Sequence, residues 1–150
     1  MELAFARVVS VQLDSPKGEG HGRVLVAEDD LAIRALLVSL LGRRGYKVQE
    51  APDGQVALER IEAETFDAIV LDLMMPRKSG FELIHDLEQG GRRDILKTCI
   101  VLSAASEKHR ESLDRAALFA IVAKPFDIHE LCDVIQRCVE QARAEPKSKA

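Results

Sequence analysis

The chain has 150 residues, of which 47% are hydrophobic and 31% charged, and its formal net charge is −4. This length suits one compact domain, and the apolar fraction is large enough for a core, which excludes a globally disordered chain. The acidic balance argues against direct contact with nucleic acid, because proteins that bind it usually present a basic face. The longest apolar runs have the length of a strand, so no membrane-spanning helix is expected.

Cysteine usage and the start of the chain bear on the compartment. Cys99, Cys132 and Cys138 are too few and too scattered for a disulfide framework, and no Cys/His cluster offers a zinc site. We interpret all three as reduced packing residues. The first residues are mildly apolar, but Arg7 interrupts them and no convincing cleavage site follows. Together these features predict a cytoplasmic protein.

The composition divides the chain into three segments. Residues 1–22 end in a polar, glycine-rich stretch that is typical of a flexible leader. Within them, residues 3–13 fit either an edge strand or a short helix, and the pattern does not decide between the two. Residues 23–142 form the predicted domain, and residues 143–150 form a short charged tail.

The first half of the domain alternates between apolar runs and segments of helical period. The run 24–27 predicts a buried strand, and 31–44 predicts a helix for which Asp30 is a natural N-cap. A more exposed strand at 46–50 precedes a helix at 54–64, and 67–71 predicts a third strand. The apolar side chains assigned to the inner face of the first helix are Ile33, Leu36, Leu37, Leu40 and Leu41.

The second half of the domain repeats this alternation. Residues 80–88 predict a helix, 98–102 a fourth strand and 107–117 a polar, weakly amphipathic helix. Residues 119–123 predict the fifth strand, and 127–142 predict the last helix. Apolar strands that alternate with helices are typical of an α/β fold with a doubly wound parallel sheet and helices on both faces.

Chemically active residue types follow four of the five predicted strands. Glu28, Asp29 and Asp30 follow the first strand, Asp72 the third, Ser103 the fourth and Lys124 the fifth. In sheets of this kind ligands bind at the carboxyl ends of the strands. Each residue alone is more often a turn residue, a helix cap or a solvated charge. Their common position on one sheet edge is what indicates a site.

The residue types at this edge suit phosphoryl transfer. Neighbouring carboxylates repel each other, and a hard divalent cation such as Mg²⁺ relieves that repulsion. Lys124 can neutralise a phosphoryl oxygen, and Ser103 can donate a hydrogen bond to another. Asp72 can then act as a nucleophile, because an aspartate forms an acyl phosphate.

Four stretches of the sequence resemble the receiver domain of bacterial two-component response regulators. The matching stretches are VLVAEDD at 24–30, IVLDLMMP at 69–76 with Gly80 after it, IVLSA at 100–104 and VAKPF at 122–126. The resemblance covers residues 23 to about 142. It implies a flavodoxin-like sheet of five parallel strands in the order 2-1-3-4-5, together with five helices.

The resemblance also implies a role for each site residue. Asp72 would be the phosphoacceptor and Ser103 and Lys124 its catalytic partners, whereas Glu28 and Asp29 would hold Mg²⁺ together with Asp72. A further metal ligand would be the backbone carbonyl of Met74, and the Lys124–Pro125 bond would be cis. The implied partners are a sensor histidine kinase or phosphotransfer protein and an unknown downstream protein, with no contact to nucleic acid or membrane.

The sequence departs from the family pattern near the fifth strand. Most members carry Tyr or Phe three residues before the lysine, as a reporter of the signalling switch, but this chain has Ile121. The spacing from Ser103 to Lys124 is about one residue short, and the common glycine before the strand is missing. We interpret Phe119 as a core residue. Our hypothesis is that the switch is muted or uses another face.

Three functions remain open from the sequence. The favoured one is a single-domain response regulator that catalyses only its own phosphoryl transfer and dephosphorylation and is otherwise not an enzyme. A pseudo-receiver would serve as an unphosphorylated protein-binding module. A Mg²⁺-dependent phosphatase is disfavoured, because such enzymes carry Asp-x-Asp after the first strand, where this chain has Glu28, Asp29 and Asp30. The chain is also compatible with a fragment of a larger regulator.

Overall fold

The computed structural model of the protein describes residues 22–104 and 112–145. The strands form one parallel sheet with the order β2-β1-β3-β4-β5. They are β1 (Arg23–Ala27), β2 (Lys47–Ala51), β3 (Ala68–Asp72), β4 (Cys99–Ser103) and β5 (Ala120–Ala123). This is the predicted flavodoxin-like order. The second, third and fourth strands end one residue later than predicted, so Asp72 and Ser103 are the last residues of their strands.

Helices connect the strands and cover both faces of the sheet. They are α1 (Leu31–Arg43), α2 (Gly54–Ala63), α3 (Gly80–Gln89), α4 (Arg93–Leu96) and α5 (Ile128–Ala144), with a 3₁₀ turn at Arg115–Ala117. Asp30 caps α1 as predicted, because its side chain accepts a hydrogen bond from the N–H of Ile33 at 3.1 Å. Within the described ranges, no helix is both long and apolar enough to cross a membrane.

Two apolar cores lie on opposite faces of the sheet. Successive strand residues alternate between them, so Leu25 packs on one side and Val26 on the other. Helices α2 and α3 close the first core with Ile61 and Leu83, among others. Helices α1 and α5 close the second core, to which Phe119 also packs, as the sequence indicated. Cys99, Cys132 and Cys138 are free and buried, as predicted.

Some predictions about the helices were wrong. Leu36 was assigned to the inner face of α1, but 48% of it is exposed, whereas Leu37 and Leu41 are fully buried. The single turn α4 was not predicted. Residues 113 and 114, within the helix predicted over 107–117, are not helical, and the following residues form only the 3₁₀ turn. Helix α5 extends two residues beyond the predicted end at 142.

Other predictions fall on residues outside the described ranges. They include the leader up to residue 21, the tail from residue 146, and the first part of the helix predicted over 107–117. The division of the chain into leader, domain and tail therefore stays a prediction.

Candidate functional site

The register of the sheet brings the sequence-predicted residues to one edge. Glu28 follows β1 directly, and its N–H donates to the carbonyl of Ala51 at the end of β2. Asp72 at the end of β3 pairs in register with Leu102 of β4. Ser103 follows at the next position of β4, and its carbonyl accepts the N–H of Lys124 at 3.0 Å. The carboxyl ends of four strands therefore meet at these side chains.

Glu28, Asp29 and Asp72 form an acidic cluster at this edge. Glu28 and Asp72 are buried, whereas Asp29 is exposed. One carboxylate oxygen from each residue lies within 4.8 Å of those of the other two. Among the described residues, Glu28 Oε1 is the buried side-chain oxygen that lacks a hydrogen-bond partner. An all-oxygen set in which one buried oxygen has no hydrogen bond fits a hard cation such as Mg²⁺.

Lys124 is the cation that lies against this cluster. Its Nζ is 3.1 Å from Asp72 Oδ2 and 3.4 Å from Glu28 Oε1. Only 21% of the side chain is exposed, so solvent screens these contacts weakly. Burial alone would lower the pKa of Lys124, but the charges and hydrogen bonds of Asp72 and Glu28 outweigh it and raise that pKa. The ammonium group is therefore firmly charged.

The pKa of Glu28 reflects its burial beside Asp72. Burial, a hydrogen bond with the Asp72 side chain and the Asp72 charge raise this pKa to about 7, against the opposing effects of the Asp30 N–H and Lys124. The Glu28 carboxyl group therefore titrates near neutral pH. A divalent cation at the cluster would oppose this rise of the pKa, because it favours the charged form of the carboxyl group.

Ser103 and the loop after β3 lie at the same strand edge as Asp72. Ser103 is buried at the end of β4. The N–H of Met74 donates to Asp72 Oδ1 at 3.1 Å, so the loop after β3 folds back over the carboxylate. Met74 itself is 58% exposed. The Lys124–Pro125 bond is cis, as expected.

A second polar cluster, which was not predicted from the sequence, joins the loop that follows β3 to the start of α2. The carboxylate of Asp53 caps α2 by accepting the N–H of Val56 at 2.9 Å. It also pairs with the guanidinium of Arg77 at 3.0 and 3.3 Å. Arg77 has a φ of 64°, a left-handed conformation that costs a non-glycine residue free energy. An aspartate directly before a helix that begins with Gly54 was an available signal for the cap.

A cavity of about 430 Å³ lies at the opposite edge of the sheet. Its lining includes Asp67, Thr98 and Phe119, which precede β3, β4 and β5. None of the residues that suggested phosphoryl transfer contributes to it. We therefore assign the site by its chemistry, at the carboxyl ends of the strands, rather than by the size of a cavity.

Comparison with known proteins defines the class to which this fold and site belong. The family model of the response regulator receiver domain matches residues 24–136. The chain belongs to this family, and its resemblance to receiver domains of two-component systems is thereby confirmed.

Curated relatives include two kinds of mycobacterial regulator. The response regulator MprA of Mycobacterium ulcerans is 34% identical over 128 residues, which cover 85% of this chain and 54% of the relative. The transcriptional regulatory protein PdtaR of Mycobacterium tuberculosis is 35% identical over 125 residues, which cover 81% and 58%. The chain thus spans about half the length of the curated relatives that it matches.

Solved structures give the same picture. The receiver domain of the Francisella response regulator 1452 is 30% identical with a TM-score of 0.71, and the match covers 80% of this chain and 98% of that one. The response regulator TrrA of Thermotoga maritima, solved in complex with Mg²⁺ and BeF, is 30% identical with a TM-score of 0.65 over 77% and 97%. These likenesses agree with the strand order described above.

Proposed function

We propose that the chain accepts a phosphoryl group on Asp72 and signals through the change of shape that follows. The observation that carries this proposal is the position of Lys124, whose ammonium group bridges Asp72 and Glu28 beside the exposed carboxylate of Asp29. Three carboxylates and one lysine at a strand edge offer a nucleophile, a metal site and a fixed positive charge. Phosphoryl transfer needs these three elements.

Each side chain has a separate task in this proposal. Asp72 Oδ attacks the phosphorus of the donor, the phosphorus–nitrogen bond of a phosphohistidine breaks, and the imidazole leaves with a proton. Lys124 and Ser103 stabilise charge on the phosphoryl oxygens. Mg²⁺ would be held by Glu28, Asp29, Asp72 and the carbonyl of Met74, and it would supply neutralisation of the oxygens during transfer.

The partners follow from this chemistry. The donor is a sensor histidine kinase or a phosphotransfer protein in the cytoplasm, and the phosphorylated domain acts on a downstream protein. Support comes from the family of the chain and from its regulator relatives. The intact acidic cluster argues against a pseudo-receiver, because a module that only binds proteins does not need three clustered carboxylates beside a lysine. The acidic run after β1 also lacks the Asp-x-Asp spacing of a phosphatase.

Intact-mass spectrometry after incubation with Mg²⁺ and acetyl phosphate tests the proposal. We expect one phosphoryl adduct in the wild type and none in Asp72→Asn or in a sample with EDTA. Asp67→Asn is a matched control, because this aspartate lies just before the same strand at the opposite edge of the sheet. It should form the adduct at the rate of the wild type.

Beryllofluoride binding, followed by ¹⁹F NMR, distinguishes a slow donor from an incompetent site. A wild type that gives neither an adduct nor a bound beryllofluoride signal would contradict the proposal and favour the pseudo-receiver. An adduct that persists in Asp72→Asn would place the acceptor elsewhere.

A further inference from the structure

Arg34 is a largely buried arginine beside the acidic cluster, and it has no part in the proposed phosphoryl transfer. It lies on α1, and only 14% of its side chain is exposed. Its Nε donates to Glu50 Oε1 at 3.0 Å, and its NH1 group donates to the backbone carbonyl of Glu28 at 2.8 Å. The side chain therefore ties α1 to the end of β2 and to the loop that carries the acidic pair.

The polar groups of Glu28 show what this contact does. Its N–H donates to Ala51 of β2 at 3.1 Å, and its Oε2 accepts the N–H of Asp30 at 3.1 Å. Its carbonyl accepts from Arg34, which is the one side chain among these three partners. The remaining oxygen, Oε1, has no hydrogen bond and forms an ion pair with Lys124 at 3.4 Å. The three bonds therefore hold the residue with one oxygen directed to the cluster.

We propose that Arg34 is a positioning residue for the divalent cation. Its hydrogen bond to the Glu28 carbonyl holds Glu28 and Asp29 in the geometry that binds the cation. This inference rests on the proposed function, since it assumes that the cluster binds Mg²⁺. The guanidinium suits the task because its planar fork can hold an oxygen of β2 and an oxygen of the loop after β1 at once, whereas an ammonium is a point charge. Partners behind metal ligands of this kind typically contribute 10- to 100-fold to metal affinity.

Isothermal titration of the full chain with Mg²⁺ measures this contribution without any phosphoryl donor. We expect Arg34→Met, which keeps an apolar stem, to raise the Kd by about 10-fold or more. Arg34→Lys should give an intermediate Kd, because lysine keeps the charge but lacks the fork.

Arg60→Met is the matched control. Arg60 donates from α2 to the Glu50 carbonyl at 2.8 Å and to Gln49 Oε1 at 3.0 Å, and it has no hydrogen bond to Glu28. Its loss removes the same kind of bond from the same sheet edge. The Kd of this variant should stay within about 2-fold of the wild type, even where thermal unfolding shows the same loss of stability as in Arg34→Met.

The outcomes separate this inference from the proposed function. A wild type that binds no Mg²⁺ overturns both. A wild type that binds, with an unchanged Kd in Arg34→Met, overturns the role of Arg34 alone. If Arg34→Met does not fold, Arg34→Lys and Glu50→Gln decide the question. Glu50→Gln weakens the ion pair that holds the Arg34 side chain. An unchanged affinity for Mg²⁺ in both variants contradicts the inference.

Discussion

Burial of charged groups governs the electrostatics of the residues around Asp72. Three carboxylates cluster here, and the ammonium group of Lys124 contacts the two buried ones, 3.1 Å from Asp72 and 3.4 Å from Glu28. Burial is the main cause that raises the pKa of Glu28 to about 7, and the hydrogen bond and charge of Asp72 add to it. The domain thus retains an electrostatic conflict at its site that a divalent cation or a neutral substitution would relieve.

Asp29→Asn should therefore stabilise the domain in the absence of Mg²⁺. Removal of the exposed carboxylate relieves repulsion with Glu28 and Asp72, and we expect a gain of roughly 1 kcal/mol or less, because solvent screens this group. The same variant should lose the stabilisation that Mg²⁺ gives to the wild type. Thermal unfolding with EDTA and with Mg²⁺ measures both effects.

Asp30→Asn is the control for Asp29→Asn. Asparagine caps a helix about as well as aspartate, so this variant removes a neighbouring negative charge that lies outside the cluster. Its response to Mg²⁺ should match that of the wild type. Equal loss of the response in both variants would mean that the local field, and not ligation by Asp29, determines cation binding.

The carboxylate of Asp53 predicts a separate pH dependence of stability. Burial raises the pKa of Asp53, but the N–H of Val56 and the Arg77 guanidinium outweigh it and lower that pKa below its ordinary value of 3.8. A folded-state pKa below the unfolded one stabilises the fold above that value, and the contribution is lost as the pH falls through the folded-state pKa.

Comparison with Asp53→Asn isolates this contribution, because the other carboxylates titrate in both proteins. At pH 7 the variant should be less stable by about 1 kcal/mol, since it keeps the cap but loses the ion pair with a partly exposed arginine. Urea unfolding should show this difference shrinking as the pH falls below 3.8. A difference that does not change with pH would mean that the charge of Asp53 does not contribute.

The sequence located the strand-end residues but not the arginines behind them. Glu28, Asp72 and Lys124 could be placed because the ends of parallel strands meet at one edge by topology alone. Arg34 and Arg77 could not be placed, because the contacts of a long side chain with another element produce no periodic pattern in the sequence. Their partners are set by tertiary structure, so the contacts emerge only when the helices are packed.

At the scale of elements, the connection from β3 to α3 depends on the backbone of Gly80. The N–H of Gly80 donates to the carbonyl of Leu73 at 2.9 Å. A Cβ at this position would lie 2.5 Å from the carbonyl oxygen of Asp72 and 2.7 Å from the Cα of Leu73. Both are backbone atoms of the segment that carries the candidate phosphoacceptor, so a side chain here would displace that segment.

Gly80→Ala and Gly42→Ala form a matched pair that tests this close approach. We expect the first to destabilise the domain by about 1–3 kcal/mol, because the added methyl group overlaps backbone that cannot move freely. Gly42 lies in the last turn of α1, where an added Cβ would meet nothing within 4 Å, so the second should be neutral or stabilise by about 0.5 kcal/mol. Chemical denaturation measures both changes.

Equal stability in the two glycine variants would contradict the close approach at Gly80. A loss of stability in both would instead point to a general sensitivity of helix ends to substitution.

Prediction of the elements succeeded where periodicity was strong and failed where it was short or local. The strands and the long helices are set by apolar runs and amphipathic spacing. The turn α4 has four residues, too few for a periodic signal. Leu36 was misassigned because the apolar face of α1 is wider than the area that the core covers. Leu36 therefore lies at the exposed border of that face. The 3₁₀ turn at Arg115–Ala117 begins at a capping aspartate, Asp114, which the sequence pattern placed inside a helix.

At the scale of the whole molecule, β5 connects the site to Ile121, the position at which most receiver domains are expected to carry an aromatic reporter of the switch. Lys124 follows the strand directly and contacts Asp72, while Ile121 lies three residues earlier and pairs in register with Val101. Ile121 is half-buried and packs against the core on the side of α2 and α3. Displacement of Lys124 or Ser103 on phosphorylation would therefore reach β5 through an aliphatic contact.

We predict that this aliphatic contact mutes the switch. An isoleucine has neither a planar ring to rotate nor a hydroxyl to exchange hydrogen bonds. The conformations of its side chain before and after phosphorylation should therefore differ little in free energy. On addition of Mg²⁺ and beryllofluoride, amide chemical shifts should change strongly at Ser103 and Lys124 but weakly along residues 120–122. Ile121→Tyr supplies a ring and a hydroxyl at the same position, and it should enlarge the change along β5.

The comparison of wild type and Ile121→Tyr decides whether the contact limits the signal. A large change along β5 in the wild type, equal to that in the variant, would show that the strand switches without an aromatic side chain. A weak change of the chemical shifts along β5 in both proteins would instead indicate that the signal is read at another face. In that case the loop after β3, with Met74 exposed beside Asp72, is the surface that an arriving phosphoryl group alters most directly.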